Sequence, residues 1–243
     1  MTMNYAYSAL AATIGLLAIS SPAASTELGD TGFDLSSNIA LTSDYTFRGI
    51  TQTAGGPALQ GGFDLSHESG FYAGNWNSSV EFDDASLEMD LYGGWAGSFS
   101  GFSVDVGAVY FFYPDTSVDD GDSYDYGEVY GTVGYDFGLA SLSAGVNLTN
   151  EFFNETGQAQ NYRTSVTVPI SDVFSVGANV GYQAIDDNAK FGLPDYTHYG
   201  ANVSASFAEY YTATLSGVGT DIDDDTCPDA CDDRVELMLS AAF

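Results

Sequence analysis

Basic residues are almost missing from this chain: four Lys and Arg stand against 34 Asp and Glu, for a net charge of −30. So acidic a surface repels phosphate backbones and offers no cationic stripe, which excludes nucleic acid as a partner. Histidine occurs only as His67 and His198. A hydrolase built on a nucleophile and an imidazole base has almost nothing to draw on, and no enzyme is expected. Cysteine is limited to Cys227 and Cys231. With no further Cys or His beside them a zinc site is unsupported, and in an exported protein the pair is expected as a small disulfide at a loop tip. Long apolar runs are lacking too. Ser8 to Ile19 is the apolar stretch near the start, twelve residues long and too short to span a bilayer as a helix. Without a helical span of about twenty residues, an inner-membrane protein is not expected. Phosphate-cradling loops and haem-attachment motifs are also lacking, so no cofactor is expected.

What the chain has is alternation. From Arg234 to Phe243 the odd positions Val235, Leu237, Leu239, Ala241 and Phe243 are all apolar. A period of two marks a strand with two unlike faces, and about ten residues suffice to cross a bilayer at a tilt. Eleven further segments repeat the pattern. Phe33 to Phe47 presents its odd positions, the next segment Leu59, Gly61, Phe63 and Leu65, and the third Tyr72, Gly74, Trp76, Ser78, Val80 and Phe82. Further on, the same reading gives Leu87 to Trp95, Phe102 to Phe112, Val129 to Tyr135, Ala140 to Leu148, Tyr162 to Val168, Phe174 to Tyr182, Tyr199 to Phe207, and Tyr211 to Gly217. None of these outward positions is charged. Charges fall on the opposite faces: Asp34, Asp44, Asp64, Glu81, Glu88, Asp90, Asp105, Glu128, Arg163, Arg234 and Glu236.

Strands with an uncharged outer face, joined alternately by tight turns and by longer acidic loops, describe an all-β fold. The expectation is a transmembrane antiparallel up-and-down β-barrel of about 12 strands with both termini periplasmic, in the bacterial outer membrane. Only the Asp83–Ala85 link is unexpectedly short. Aromatics near strand ends are expected as two interfacial girdles, Tyr45, Phe47, Phe82, Tyr110 to Tyr113, Tyr196 and Tyr199 outside, Phe71, Phe102, Phe137, Phe174, Phe207 and Tyr211 inside. Residues 1–24 are expected as a cleaved signal peptide, with small residues around Ser21 to Ser25 for cleavage, although its start lacks Lys and Arg. Residues 25–243 then form one barrel domain.

More than half of the acids lie in the long loops. They make a solvated repulsive surface, or they bridge divalent cations to anionic lipopolysaccharide. Asp221, Asp223 and Asp225 have the spacing of a calcium loop, but Thr226 stands where the turn glycine belongs and helices do not flank it. A calcium-binding hand is therefore not expected, and the three are left as weak candidates, a loose cluster of hard oxygen ligands.

The segment Leu41-Thr42-Ser43-Asp44-Tyr45-Thr46-Phe47-Arg48-Gly49-Ile50-Thr51-Gln52-Thr53 resembles the opening motif of the TorF family of porins. Gly61-Gly62-Phe63-Asp64 and Gly70-Phe71-Tyr72-Ala73-Gly74-Asn75-Trp76-Asn77-Ser78 look like its second block. The resemblance implies an exported outer-membrane barrel, with Asp44, Tyr45, Phe47, Arg48 and Gly49 as family-motif residues; it does not name a solute. Asp44 and Arg48 share one parity, and an inward ion pair between them is expected near the outer rim.

The pore-lining candidates are Asp64, Glu88, Asp90, Asp105, Glu128, Arg163, Arg234 and Glu236. Small or polar inward residues such as Asn38, Asn77, Ser103, Ser143, Asn147, Asn179 and Ser204 leave room for water. The expected function is a porin-like channel for passive diffusion of small solutes or ions with a cation-preferring lumen. The other reading is a closed barrel that works through its acidic loops. Partners are outer-membrane lipids and lipopolysaccharide, and small solutes or cations.

Overall fold

A strand with one lipid-ready face still carries unpaired backbone groups along both edges, and in hydrocarbon only closure satisfies them all. The computed structural model describes residues 25–114, 116 and 123–243, so the expected signal peptide lies outside the described residues. Its strands are β1 (Thr26–Glu27), β2 (Phe33–Thr42), β3 (Thr46–Phe47), β4 (Ile50–Thr51), β5 (Ala58–His67), β6 (Phe71–Phe82), β7 (Ala85–Phe99), β8 (Phe102–Phe112), β9 (Tyr126–Asp136), β10 (Ser141–Thr149), β11 (Ala159–Pro169), β12 (Phe174–Ile185), β13 (Tyr196–Phe207), β14 (Tyr211–Thr220) and β15 (Arg234–Ala242). From β5 to β15 each strand pairs antiparallel with the next, and β2 closes the ring by pairing with both β5 and β15. The barrel thus has twelve strands: β2 and β5 to β15. The β1 strand extends the β2 edge beside the closure, where Phe243 exchanges two backbone hydrogen bonds with Ser37, each 2.8 Å. The small β3–β4 sheet stands apart from the barrel wall.

The outer belt follows the expected parity on every barrel strand but one. Leu59, Val129 and Leu237 are 59%, 56% and 50% exposed, whereas Asp90 and Glu128 on the other parity are 0% and 3% exposed. Placing Arg at Leu237 should therefore cost about 2–4 kcal/mol in unfolding titrations from lipid vesicles. An equal change at the inward Ser204 should cost far less.

The exception is β6. The expected outward set Tyr72, Gly74, Trp76, Ser78, Val80 and Phe82 points into the barrel, with Trp76, Ser78 and Val80 buried. Register explains it: Gly74 lies between Asp64 and Tyr92, and Trp76 between Gly62 and Asp90, all inward residues. The outward face of β6 is accordingly Phe71, Ala73, Asn75, Asn77 and Ser79, and Glu81 is exposed rather than inward. Aromatic side chains misled the reading because this lumen is itself lined with them.

The two girdles also come out unequal. Phe71, Phe102, Phe137, Phe174, Phe207 and Tyr211 are exposed around the periplasmic rim as expected. Of the aromatics expected at the outer end, Tyr110, Phe112 and Tyr199 face out, joined by Tyr162 and Tyr182. Tyr45, Phe111, Tyr113 and Tyr196 are buried, and Phe47 and Phe82 pack against the buried cluster. The expected outer belt is in large part an internal aromatic core.

Candidate functional site: the barrel lumen

Strand β2 stops at Thr42, short of the expected Phe47, and the chain turns into the bore. The β3–β4 hairpin follows, with Arg48 and Gly49 between Phe47 and Ile50. Both turn residues have positive φ, 51° and 83°, as a two-residue hairpin turn of this hand requires. A Cβ at Gly49 would lie 2.6 Å from the Thr220 methyl and 2.8 Å from the Gly219 carbonyl oxygen. Glycine is needed here by conformation and by close approach alike.

Each motif residue has a role in holding this hairpin. Asp44 Oδ1 accepts from the hydroxyls of Thr51 at 2.6 Å and Thr53 at 2.9 Å, and Oδ2 accepts from Arg234 Nη1 at 2.6 Å. Tyr45 donates its phenol to Glu88 at 2.8 Å. Phe47 meets the Phe111 ring edge-on, with centroids 5.6 Å apart. Arg48 Nη2 donates to both Glu128 oxygens at 2.8 and 2.6 Å, and Nη1 donates to Gln183 at 2.8 Å. The hairpin therefore crosses from the β2 wall to β9 and β12. The expected Asp44–Arg48 pair does not form. Four residues of extended chain separate side chains by about 13 Å, and each group finds a nearer partner across the bore.

The remaining candidates sit on the inner wall in two regimes. Toward the outer end, Glu88 accepts from Tyr45 and from Tyr113, the latter at 2.5 Å, and Glu128 also accepts from Asn147 at 2.8 Å. Asp90 and Glu236 are buried there; both oxygens of Asp90 and one of Glu236 have no hydrogen-bond partner among the described residues. Lower down, Tyr72 donates to Asp105 at 2.6 Å and meets Tyr130 at 2.5 Å, and Tyr92 donates to Asp64 at 2.5 Å. Arg163 donates to Thr132 at 2.7 Å and to Asn147. Toward the periplasm the wall opens into small polar residues, with Ser103, Ser143, Ser165 and Ser204 half-buried and Asn179 exposed. The lumen is thus packed with buried side chains at its outer end and lined by small polar ones below. Of the small inward set, Asn77 falls on the outer face instead.

Sequence alternation places Tyr72 outward and does not single out the phenols of Tyr92 and Tyr130. Their signal is the run of inward glycines beside them: a Cβ at Gly74 or Gly107 would lie within 2.7 Å of a tyrosine hydroxyl. His198 faces inward as expected, buried, with Nε2 2.9 Å from the Asn161 amide nitrogen.

Cys227 and Cys231 are joined, with Cα atoms 5.6 Å apart. Their loop does more than expected of a tip. Its Ala230 carbonyl accepts from the Thr51 amide at 3.0 Å, so it braces β4 from above. Asp221 is occupied by the Thr197 amide at 2.6 Å. Among the described residues, no group of three or more His, Cys, Asp and Glu is placed to hold a metal ion.

The fold is that of outer-membrane porins. A KdgM porin superposes with TM-score 0.59 at 8% identity over 86% of this chain and 98% of its own. A NanC porin gives 0.57 at 8% over 86% and 98%. An outer-membrane channel from Pseudomonas putida F1 gives 0.55 at 10% over 90% and 100%. A closed barrel of this kind with an apolar outer belt belongs in the bacterial outer membrane. No curated protein matches the sequence. A family model described as a bacterial protein of unknown function, Gcw_chp, matches residues 26–243.

Proposed function

The chain belongs to the Gcw_chp family, and on that footing we propose a narrow porin-like channel for passive diffusion of small solutes or ions, with a cation-preferring lumen. The observation that carries this reading is the inward-folded hairpin: a bore of twelve strands narrowed at one level by Arg48 and open below it in small polar residues. Twelve strands give a bore between the filled eight-stranded barrels and the wide sixteen-stranded porins. We read the Asp44 to Gly49 motif, and with it the resemblance to TorF porins, as the device that sets this constriction.

Charge supports the choice of solute. Asp64, Glu88, Asp90, Asp105, Glu128 and Glu236 outnumber the inward Arg48, Arg163 and Arg234, and Glu128 is already neutralised by Arg48. A carboxylate excess in a confined bore attracts cations and repels anions. The KdgM porin has been solved in complex with disordered oligogalacturonate, a polyanion, and a bore of the present sign would disfavour such a ligand. The acidic loops would meet lipopolysaccharide at the outer rim, and the barrel's work is transport, not catalysis.

The test is the reversal potential of the refolded protein in a planar bilayer under a salt gradient. A stable conductance with cation preference is expected, and Asp90→Asn with Asp105→Asn should lower the cation-to-anion permeability ratio. An unchanged ratio would remove both residues from the proposed role. The dense outer half of the bore favours one other reading, a closed barrel acting through its loops; a folded but silent wild-type barrel would select it.

A further inference from the structure

The reversed parity of β6 has an outward side. Asn75, Asn77 and Ser79 project from mid-strand into a surface that elsewhere is mostly apolar. Asn77 donates its amide to the Gly61 carbonyl at 3.1 Å, and Ser79 accepts from the Leu59 amide at 3.0 Å. Asn75 has no side-chain partner among the described residues. Lipid tails offer none, and an amide left unpaired in hydrocarbon is costly. Among the described residues, the other outward amide on a barrel strand is Gln160, which lies at the outer end of β11 and accepts from the Tyr162 hydroxyl at 2.6 Å; in mid-strand β6 alone turns amides outward.

Two further features converge on the same flank. Small residues flank the amides: Gly61 pairs with Asn77, and Gly93 pairs with Ala73. Beginning at Leu91, the register partner of Asn75, an outer-surface groove of about 670 Å³ borders this face and runs across β7 to β10, over Gly93, Ala108 and Gly127 between Tyr110, Val129 and Leu148. Small residues that let backbones approach, together with polar side chains that bond across, characterise protein contacts inside membranes. Above this flank the β6–β7 connection is only two residues, while every other outer loop is longer, so no long acidic loop stands in the way of a neighbour.

We propose that the β5–β7 face is the contact between two copies of this chain, with Asn75 and Asn77 at its centre. Copies in one membrane share orientation, so their symmetry axis lies along the membrane normal and equivalent residues stand at equal depth. An amide carries both donor and acceptor and is self-complementary across such an axis. Asn75 and Asn77 therefore meet their own equivalents.

The experiment uses the full mature chain in lipid nanodiscs. Because the native cysteines are paired, Ala73→Cys on the proposed face and Val203→Cys on β13 each supply one free thiol. Under mild oxidation Ala73→Cys should give a cross-linked dimer and Val203→Cys little or none. Adding Asn75→Leu and Asn77→Leu to Ala73→Cys should cut the yield roughly tenfold or more while the barrel keeps the heat-modifiable gel migration of a folded protein. Equal cross-linking at both sites, none at Ala73→Cys, or an unchanged yield in the folded triple variant would each overturn the proposal. Should the leucine variant fail to fold, the comparison of the two single-cysteine proteins decides alone.

Discussion

Replacing residues 45–55 with a short Gly-Ser link should raise the single-channel conductance several-fold and leave a folded barrel. The link is feasible because Thr42 and Ala58, the strand ends that flank the replaced segment, are already register partners on neighbouring strands. The barrel wall keeps all its strand-to-strand pairing, since β3 and β4 pair only with each other, and loses one backbone hydrogen bond, from the Glu81 amide to the Gln52 carbonyl at 2.7 Å. What leaves is the Tyr45 phenol, the Phe47 ring and the Arg48 guanidinium that together occupy the outer bore. Glu88 and Glu128 lose their partners in the hairpin but gain water, so their charges are not stranded. Cation preference should rise along with conductance, because the cation paired directly with Glu128 has gone. Planar-bilayer recordings, with heat-modifiable migration as the check on folding, read both effects. A conductance equal to that of the wild type would mean that the hairpin is not the constriction.

Arg48→Ala alone should behave differently, as a loss of stability. The hairpin stays in place, and Glu128 is left as a buried carboxylate with one amide donor, Asn147. Breaking a buried, hydrogen-bonded ion pair from one side costs about 3–5 kcal/mol, mostly the penalty of the abandoned charge. Adding Glu128→Gln to Arg48→Ala removes that charge and should recover much of the loss. Arg48→Lys should fall between, keeping the charge while losing the fork that spans Glu128 and Gln183. Urea unfolding in lipid vesicles, followed by the fluorescence of Trp76 and Trp95, gives the whole cycle. A loss below about 1 kcal/mol would indicate a pair screened by water, as at a surface.

Much of this architecture is legible in sequence because lipid and lumen impose opposite demands at a period of two. Strand number, the tight periplasmic turns and the inward set from Asp64 to Glu236 all follow from that rule. It fails where both faces of a strand bend their chemistry. In β6 the lumen takes Tyr72, Trp76 and Phe82 while the outer face takes two asparagines, so hydrophobicity points the wrong way and only pairing with β5 and β7 corrects it. The hairpin was hidden for another reason. Phe33 to Phe47 keeps one alternating pattern, and nothing in it shows that the ladder ends at Thr42. Partner choice was beyond local reading as well: Arg48 finds Glu128 80 residues away, and Asp44 finds Arg234 190 residues away.

The seam where β2 meets β15 sets the order in which this molecule can be made. Its register joins residues 38–42 to 238–242, so the first strand waits for the last. Until they meet, the sheet has two open edges, each a template for pairing with another chain. Closing so long a loop is entropically slow, and folding dominated by such distant contacts lags far behind that of helical proteins. A long-lived, open-edged intermediate therefore needs an escort between export and insertion. The acidity of the chain offers part of that protection, since like-charged intermediates repel one another before their edges can pair.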